Sequence, residues 1–202
     1  MAASRPRLGV LGGSFDPPHL GHLVIASEAC ARFGLERVLF VPAAAPPHKA
    51  QGHSTAASAR LLMTELAVEH DPRFEVLALE IERGLVYTRD TVQAVADLFP
   101  EHDLVFVMGS DSLLQLDTWH DPEGILEICR LAVAMRSGDD SGAVAAAARR
   151  WGSGRVWLME MPLVGISSSD VRARVAVGLP IRYLVPSPVE EYARQHDLYR
   201  QT

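Results

Sequence analysis

Arg7-Leu8-Gly9-Val10-Leu11 runs directly into Gly12-Gly13-Ser14-Phe15-Asp16-Pro17-Pro18-His19-Leu20-Gly21-His22. The first five residues read as a short apolar strand. The Gly/Pro-rich segment cannot extend it, and from Leu20 the period changes: Leu20, Leu23, Val24 and Ala31 fall on one helical stripe that Gly34 can end. Strand, glycine turn and amphipathic helix in that order form the usual phosphate site of an open α/β fold. Glycines let backbone approach a phosphate closely, and free N–H groups at a helix start attract anions. The turn has neither GxGxxG nor GxxxxGK[ST], so the dinucleotide fingerprint and the Walker loop are both excluded.

The same alternation continues outward. Arg37–Val41, Phe74–Leu79, Leu104–Met108, Leu131–Met135 and Val156–Leu158 read as strands. Leu104–Met108, apolar throughout, reads as buried on both faces. Between them, Ala59, Leu62, Met63 and Leu66, and then Val92, Val95, Ala96 and Phe99, recur at helical spacing. The Ala-rich residues 143–148 favour helix without a clear start, and Val189, Tyr192, Ala193 and His196 mark a last helix. The expected architecture is a Rossmann-like open parallel sheet with helices on both faces. No repeat or long linker divides residues 1–202, so one domain is expected, with a C-terminal helical segment of about 167–200 packed on it. The Pro-rich residues 42–47 and Gly-rich 137–154 are expected to be mobile.

The chain has 202 residues, a net charge of −6 and 48% hydrophobic residues. That composition excludes wholesale disorder and argues against a general nucleic-acid or anionic-membrane binder. No apolar run approaches the ~18 residues of a membrane span. Arg5 and Arg7 precede a stretch that Gly12-Gly13 and Asp16 cut short, which does not read as a secretory signal. Two cysteines, Cys30 and Cys129, suit a reducing compartment, so a cytoplasmic protein is expected. A homo-oligomer stays open, because apolar surface and apolar core look alike in a sequence.

Two features carry chemistry. His19 and His22 lie three apart at a helix start, which puts two imidazoles on one face beside the positive end of the helix dipole. Such donors can stabilise charge on a transferring phosphoryl group; the plain alternative is a pair of capping or packed histidines. Near the other end, Ile166-Ser167-Ser168-Ser169-Asp170-Val171-Arg172 places hydroxyls before a helical segment, where they can cap it or bind phosphate oxygens, with Arg172 one turn in.

GGSFDPPHLGH resembles the signature of the HxGH nucleotidyltransferase superfamily, and ISSSDVR resembles its ISSTxIR motif, with Ser169 in place of the more usual threonine. The resemblance implies that His19, His22 and Arg172 are catalytic, contacting ATP phosphates during adenylyl transfer. It also implies an ATP side formed by Gly12, Gly13, Gly109, Asp111, Ile166 and Ser169. No KMSKS-like segment is present, which argues against an aminoacyl-tRNA synthetase. The intervening Val41-Pro42, Pro46-Pro47-His48-Lys49, Tyr87-Thr88-Arg89-Asp90-Thr91, Gly109-Ser110-Asp111 with Trp119-His120, and Ile181–Pro186 are similar to the nicotinate-nucleotide adenylyltransferase branch.

That similarity implies ATP and nicotinate mononucleotide as substrates and Mg²⁺ held by their phosphates rather than by protein ligands. It implies an acceptor side of Ser14, Lys49, Thr88, Trp119 and His120. Independently of the family, Lys49 and Ser14 suit a mononucleotide phosphate, Asp111 suits ribose hydroxyls and Trp119 can stack on a pyridine ring. Nicotinamide mononucleotide or phosphopantetheine as acceptor, and a catalytically silent nucleotide-binding regulator, are the alternatives.

Overall fold

The strands are apolar on both faces because both faces are covered. The computed structural model describes residues 5–45, 55–135, 138–162 and 164–200. In chain order β1 (Arg7–Gly13) is followed by α1 (Leu20–Phe33), β2 (Leu35–Pro42), α2 (Ala57–Val68) and β3 (Phe74–Val76). Then come α3 (Leu79–Arg83), α4 (Thr88–Leu98), β4 (Asp103–Gly109), α5 (Ser110–Leu114) and a 3-10 turn at Leu116–Thr118. The remainder is α6 (Pro122–Ile128), β5 (Cys129–Met135), α7 (Ser141–Arg150), β6 (Val156–Glu160), α8 (Ser168–Ala176) and α9 (Ser187–Gln195).

The six strands form one parallel sheet in the order β3-β2-β1-β4-β5-β6. The period of two decides which face each residue serves. Leu8, Val10, Leu104, Phe106, Leu131 and Val133 pack with Val92 and Val95 of α4, Ile125 of α6 and Val144 of α7. Leu11, Val38, Phe40, Val105, Val107 and Ala132 face the other way, against Ala26 and Ala29 of α1 and Val68 of α2. Each such Val, Leu, Ile or Phe side chain contributes about 1.5–3 kcal/mol by leaving water, and each Ala less. A third cluster joins Met63 of α2 to Val171 of α8 and to Ile181, Val185 and Val189, which holds the C-terminal segment against α2.

Because the chain leaves β1 on one side toward β2 and returns on the other as β4, a crevice opens beyond the carboxyl ends of those two strands. Gly12-Gly13 end β1 and Gly109 ends β4, so both sequence-marked glycine sites meet there.

The expected strand at Phe74–Leu79 is shorter. It stops at Val76, Leu77 N–H donates to Phe40 O at 2.9 Å, and Leu79 starts α3, buried in the core. As an edge strand it pairs with β2 alone, over three positions, and the Leu77–Phe40 bond is the last tie to β2 before the chain turns into α3. The Ala-rich tract acquires its start from Asp140, whose carboxylate accepts from the N–H groups of Gly142 and Ala143. Much of the segment expected to be mobile is thus the helix Ser141–Arg150. The short α5 and α6 follow no apolar period of the sequence; α6 relies on the Asp121 cap and on Pro122 at its first position. Lys49 and Arg136 lie outside the described residues, as does the rest of 46–54.

Gly9 in β1 faces α1 and β2, where an added Cβ would lie 2.8 Å from Val38 Cγ2 and 2.9 Å from Leu35 Cδ1. Gly9→Ala is expected to lower stability by roughly 1–3 kcal/mol through overpacking, measured as a shift of the urea midpoint at unchanged m-value.

Candidate active site

The turn after β1 presents His19 as the N-cap of α1 and His22 as its third residue. Their rings stack with centroids 3.7 Å apart and planes 29° from parallel. His22 Nδ1 accepts the His19 backbone N–H at 3.1 Å. An accepting Nδ1 carries no proton, so in the neutral ring the proton is on Nε2. Gly21 makes the stacking possible. A Cβ there would stand 2.9 Å from both Cε1 and Nδ1 of His19.

The second helix start closes onto this turn. Ser167 caps α8, its hydroxyl accepting the Asp170 N–H at 3.1 Å and donating to the Asp170 carboxylate at 2.6 Å. Ser168 Oγ donates to Pro17 O at 2.9 Å, and Arg172 donates through Nη1 to Asp16 O at 2.7 Å and through Nη2 to Ser169 Oγ at 3.0 Å. The C-terminal segment adds two ties, with Leu20 N–H donating to Leu184 O at 2.9 Å and the Tyr199 hydroxyl donating to Asp16 Oδ1 at 2.8 Å. Burial pushes the Tyr199 phenol up, so it keeps the proton it donates.

Between the two helix starts lies a cleft of about 380 Å³, lined by His19, Gly21, His22, Asp111, Ile166 and Ser168 among others. A second cavity of about 250 Å³ is lined by Val86, Tyr87, Thr88, Gln115, Thr118, Trp119 and His120. There the Tyr87 and His120 rings stack at 4.3 Å, while Trp119 meets the buried Phe106 edge-on at 6.1 Å. Both openings stand on connections that leave the carboxyl ends of strands. A cleft of about 500 Å³ opens at the opposite edge, beside the first residues of β4 and β5, and shares no lining residue with either.

His19, His22, Asp111 and Ile166 therefore share one cleft, with Ser169 and Arg172 on the helix that bounds it. Thr88, Trp119 and His120 share the other cavity. Gly12, Gly13 and Gly109 end the two central strands, and Ser14 lies on the turn itself. Gly109 is the N-cap of α5, and Asp111 sits two residues further on, in its first turn. Sequence reasoning missed Asp16, Ser168, Tyr87 and Arg60. The first three lie inside the motifs already quoted, among residues given no role of their own. Arg60 had no signal beyond being a charge on a helix read by its apolar stripe.

Residues 10–174 match the Cytidylyltransferase-like family model. A Thermomicrobium roseum protein named probable nicotinate-nucleotide adenylyltransferase is 43% identical over 196 residues, covering 96% of this chain and 92% of its own. A Moorella thermoacetica protein of the same name is 42% identical over 203 residues, covering 98% and 94%. The chain belongs to the nicotinate-nucleotide adenylyltransferase family. Among solved structures, the fold is similar to Plasmodium falciparum nicotinic acid mononucleotide adenylyltransferase complexed with NaAD, with a TM-score of 0.80 over 96% of this chain and 97% of that one. The identity there is 17%, so that likeness concerns the fold.

In this family member Gly21→Ala is expected to push the His19 ring off His22 and lower turnover by on the order of 10²-fold. The melting temperature should change little, since the added methyl points at an imidazole rather than into the core. Steady-state kinetics beside a thermal melt checks both halves.

Proposed function

We infer that the cleft between the two helix starts receives ATP, and that the Tyr87–Thr88–Trp119–His120 cavity receives the pyridine ring of the acceptor. The enzyme transfers the adenylyl group of ATP to nicotinate mononucleotide. A phosphate oxygen of the mononucleotide attacks the α-phosphorus in line, the bond to the bridging oxygen breaks, and pyrophosphate leaves with that electron pair. The product is nicotinate adenine dinucleotide. The nucleophile arrives ionised, so no covalent intermediate and no general base is required.

One observation carries the site assignment. Arg172 and Ser168 bond to the carbonyls of Asp16 and Pro17, so two phosphate-type helix starts face one cleft. His22 Nε2–H and His19 then lie where charge develops on the transferring phosphoryl group, and Arg172 lies across from them. Gly12, Gly13 and Gly109 let backbone approach ATP, Ile166 and Ser169 complete its phosphate side, and Asp111 accepts ribose hydroxyls. Ser14 and Lys49 take the mononucleotide phosphate. Thr88 and the backbone at Trp119-His120 read the nicotinate carboxylate with neutral donors, which disfavours an amide that brings its own N–H groups.

Among the described residues no three His, Cys, Asp or Glu side chains gather around a point that could hold a metal ion. The cleft offers phosphate donors and the single carboxylate Asp111, which suits Mg²⁺ carried in by substrate phosphates and water. When bound it neutralises phosphate charge. Residues 1–202 work as one domain, with 167–200 held to it through the Met63–Val171–Val189 cluster. Among the described residues no helix is long and apolar enough to cross a membrane. The family makes this an enzyme of NAD biosynthesis, and we read its place as the cytoplasm.

His22→Ala is expected to lower kcat by roughly 10²-fold or more while the KM for ATP changes far less, the mark of a donor used in the transition state. Unchanged turnover from folded protein would remove His22 from this role. Pyrophosphate release measured with nicotinate mononucleotide, nicotinamide mononucleotide and phosphopantetheine side by side should favour the first. Preference for another acceptor would keep the chemistry and overturn the reading of the second cavity.

A further inference from the structure

Arg60 of α2 is 1% exposed, yet no side-chain carboxylate is hydrogen-bonded to its guanidinium among the contacts of the described residues. Its partners are backbone carbonyls. Nε donates to Thr55 O at 3.2 Å, Nη1 to Ser14 O at 2.8 Å, and Nη2 to Ala43 O at 2.7 Å and Ala44 O at 3.1 Å. One buried cation thus gathers the turn after β1, the exit of β2 and the residue before the N-cap of α2. Burial pulls its pKa down while Asp16, Tyr199 and Glu80 oppose that, and a guanidinium stays charged regardless. Around it, Gly13 O accepts the Ala43 N–H at 2.9 Å and Glu80 takes the Thr91 hydroxyl at 2.7 Å.

We propose that Arg60 is a positioning residue for the acceptor's phosphate: it holds Ser14 in place from beneath by binding the Ser14 carbonyl to the exit of β2, without touching substrate. In a trans peptide the C=O and the following N–H point in opposite directions. Drawing Ser14 O onto the guanidinium therefore turns the Phe15 N–H away from it and sets the plane from which the Ser14 hydroxyl projects. The buried charge also lies behind that turn, where it favours an anion on the far side. The geometry requires arginine. Four carbonyls spread over Nε, Nη1 and Nη2 match a planar fork, whereas an ammonium is a single point.

The proposal rests on the placement of the acceptor phosphate at Ser14, so its test has arms for both. Arg60→Lys, which keeps the charge and loses the fork, is expected to raise KM for nicotinate mononucleotide by roughly 10-fold. The KM for ATP should stay within about twofold and kcat should fall less than kcat/KM for the acceptor. Arg60→Met should raise the acceptor KM further; if it does not fold, the lysine variant decides. A parallel rise of both KM values, or an unchanged acceptor KM in folded Arg60→Lys, overturns the proposal. Ser14→Ala is the control, and it should also raise the acceptor KM. If it does and the Arg60 variants do not, Arg60's part alone falls. If Ser14→Ala leaves that KM unchanged, the placement of the phosphate fails and the proposal with it.

Discussion

A turn that is to present donors to an anion must dispose of its own acceptors, and four carbonyls between Gly13 and Pro17 are each bonded by a donor from elsewhere in the chain. Gly13 O takes the Ala43 N–H, Ser14 O takes Arg60, Asp16 O takes Arg172 and Pro17 O takes Ser168. Left facing the cleft, those oxygens would repel phosphate, and left buried without donors each would cost about 1–3 kcal/mol. The donors come from the exit of β2, from α2 and from α8. The turn is therefore shaped by three elements distant from it in sequence.

The sheet order explains why those elements are within reach. β1 lies at the centre, β2 on one side and β4 on the other, so the chain segments leaving all three carboxyl ends share one edge of the sheet. α8 reaches the same edge because the C-terminal segment folds back against α2, with Val171, Ile181, Val185 and Val189 around Met63. Tyr199 continues that return to Asp16. Packing of apolar side chains at the far end of the chain thus sets the position of a charged fork at its start. The stacked imidazoles follow from a smaller constraint, the missing Cβ at Gly21.

Much of the fold was legible because both periods were strong. Leu104–Met108 and Leu131–Met135 alternate between two buried faces, and α1 ends at Gly34 as read. Its buried face is Gly21, Ala26, Ala29 and Cys30, however, and Ala31 of the expected stripe is exposed, because small residues are what lets the helix lie close on the sheet. What failed were elements held by contacts rather than by pattern: β3 ends where β2 stops pairing with it, α5 spans five residues with no side-chain cap at its start, and α6 is short and capped by Asp121. Of the site, His19, His22, Asp111 and Ile166 could be named from motifs, as could Thr88, Trp119 and His120. Arg60 could not, because nothing in a helix sequence distinguishes a solvated arginine from one whose donors all end on distant carbonyls.

The sequence by itself determined the class of fold, the helix starts at His19 and Ser167, and the family, since periodicity and short motifs are local properties of neighbouring residues. Only the tertiary structure decided that Asp16 and Pro17 meet Arg172 and Ser168, that Thr88 and Trp119 wall one cavity, and that Arg60 stands beneath Ser14. Those juxtapositions depend on strand order and on hydrogen bonds whose acceptors are backbone carbonyls. Every residue carries the same carbonyl, so the sequence cannot mark which ones a buried donor will find.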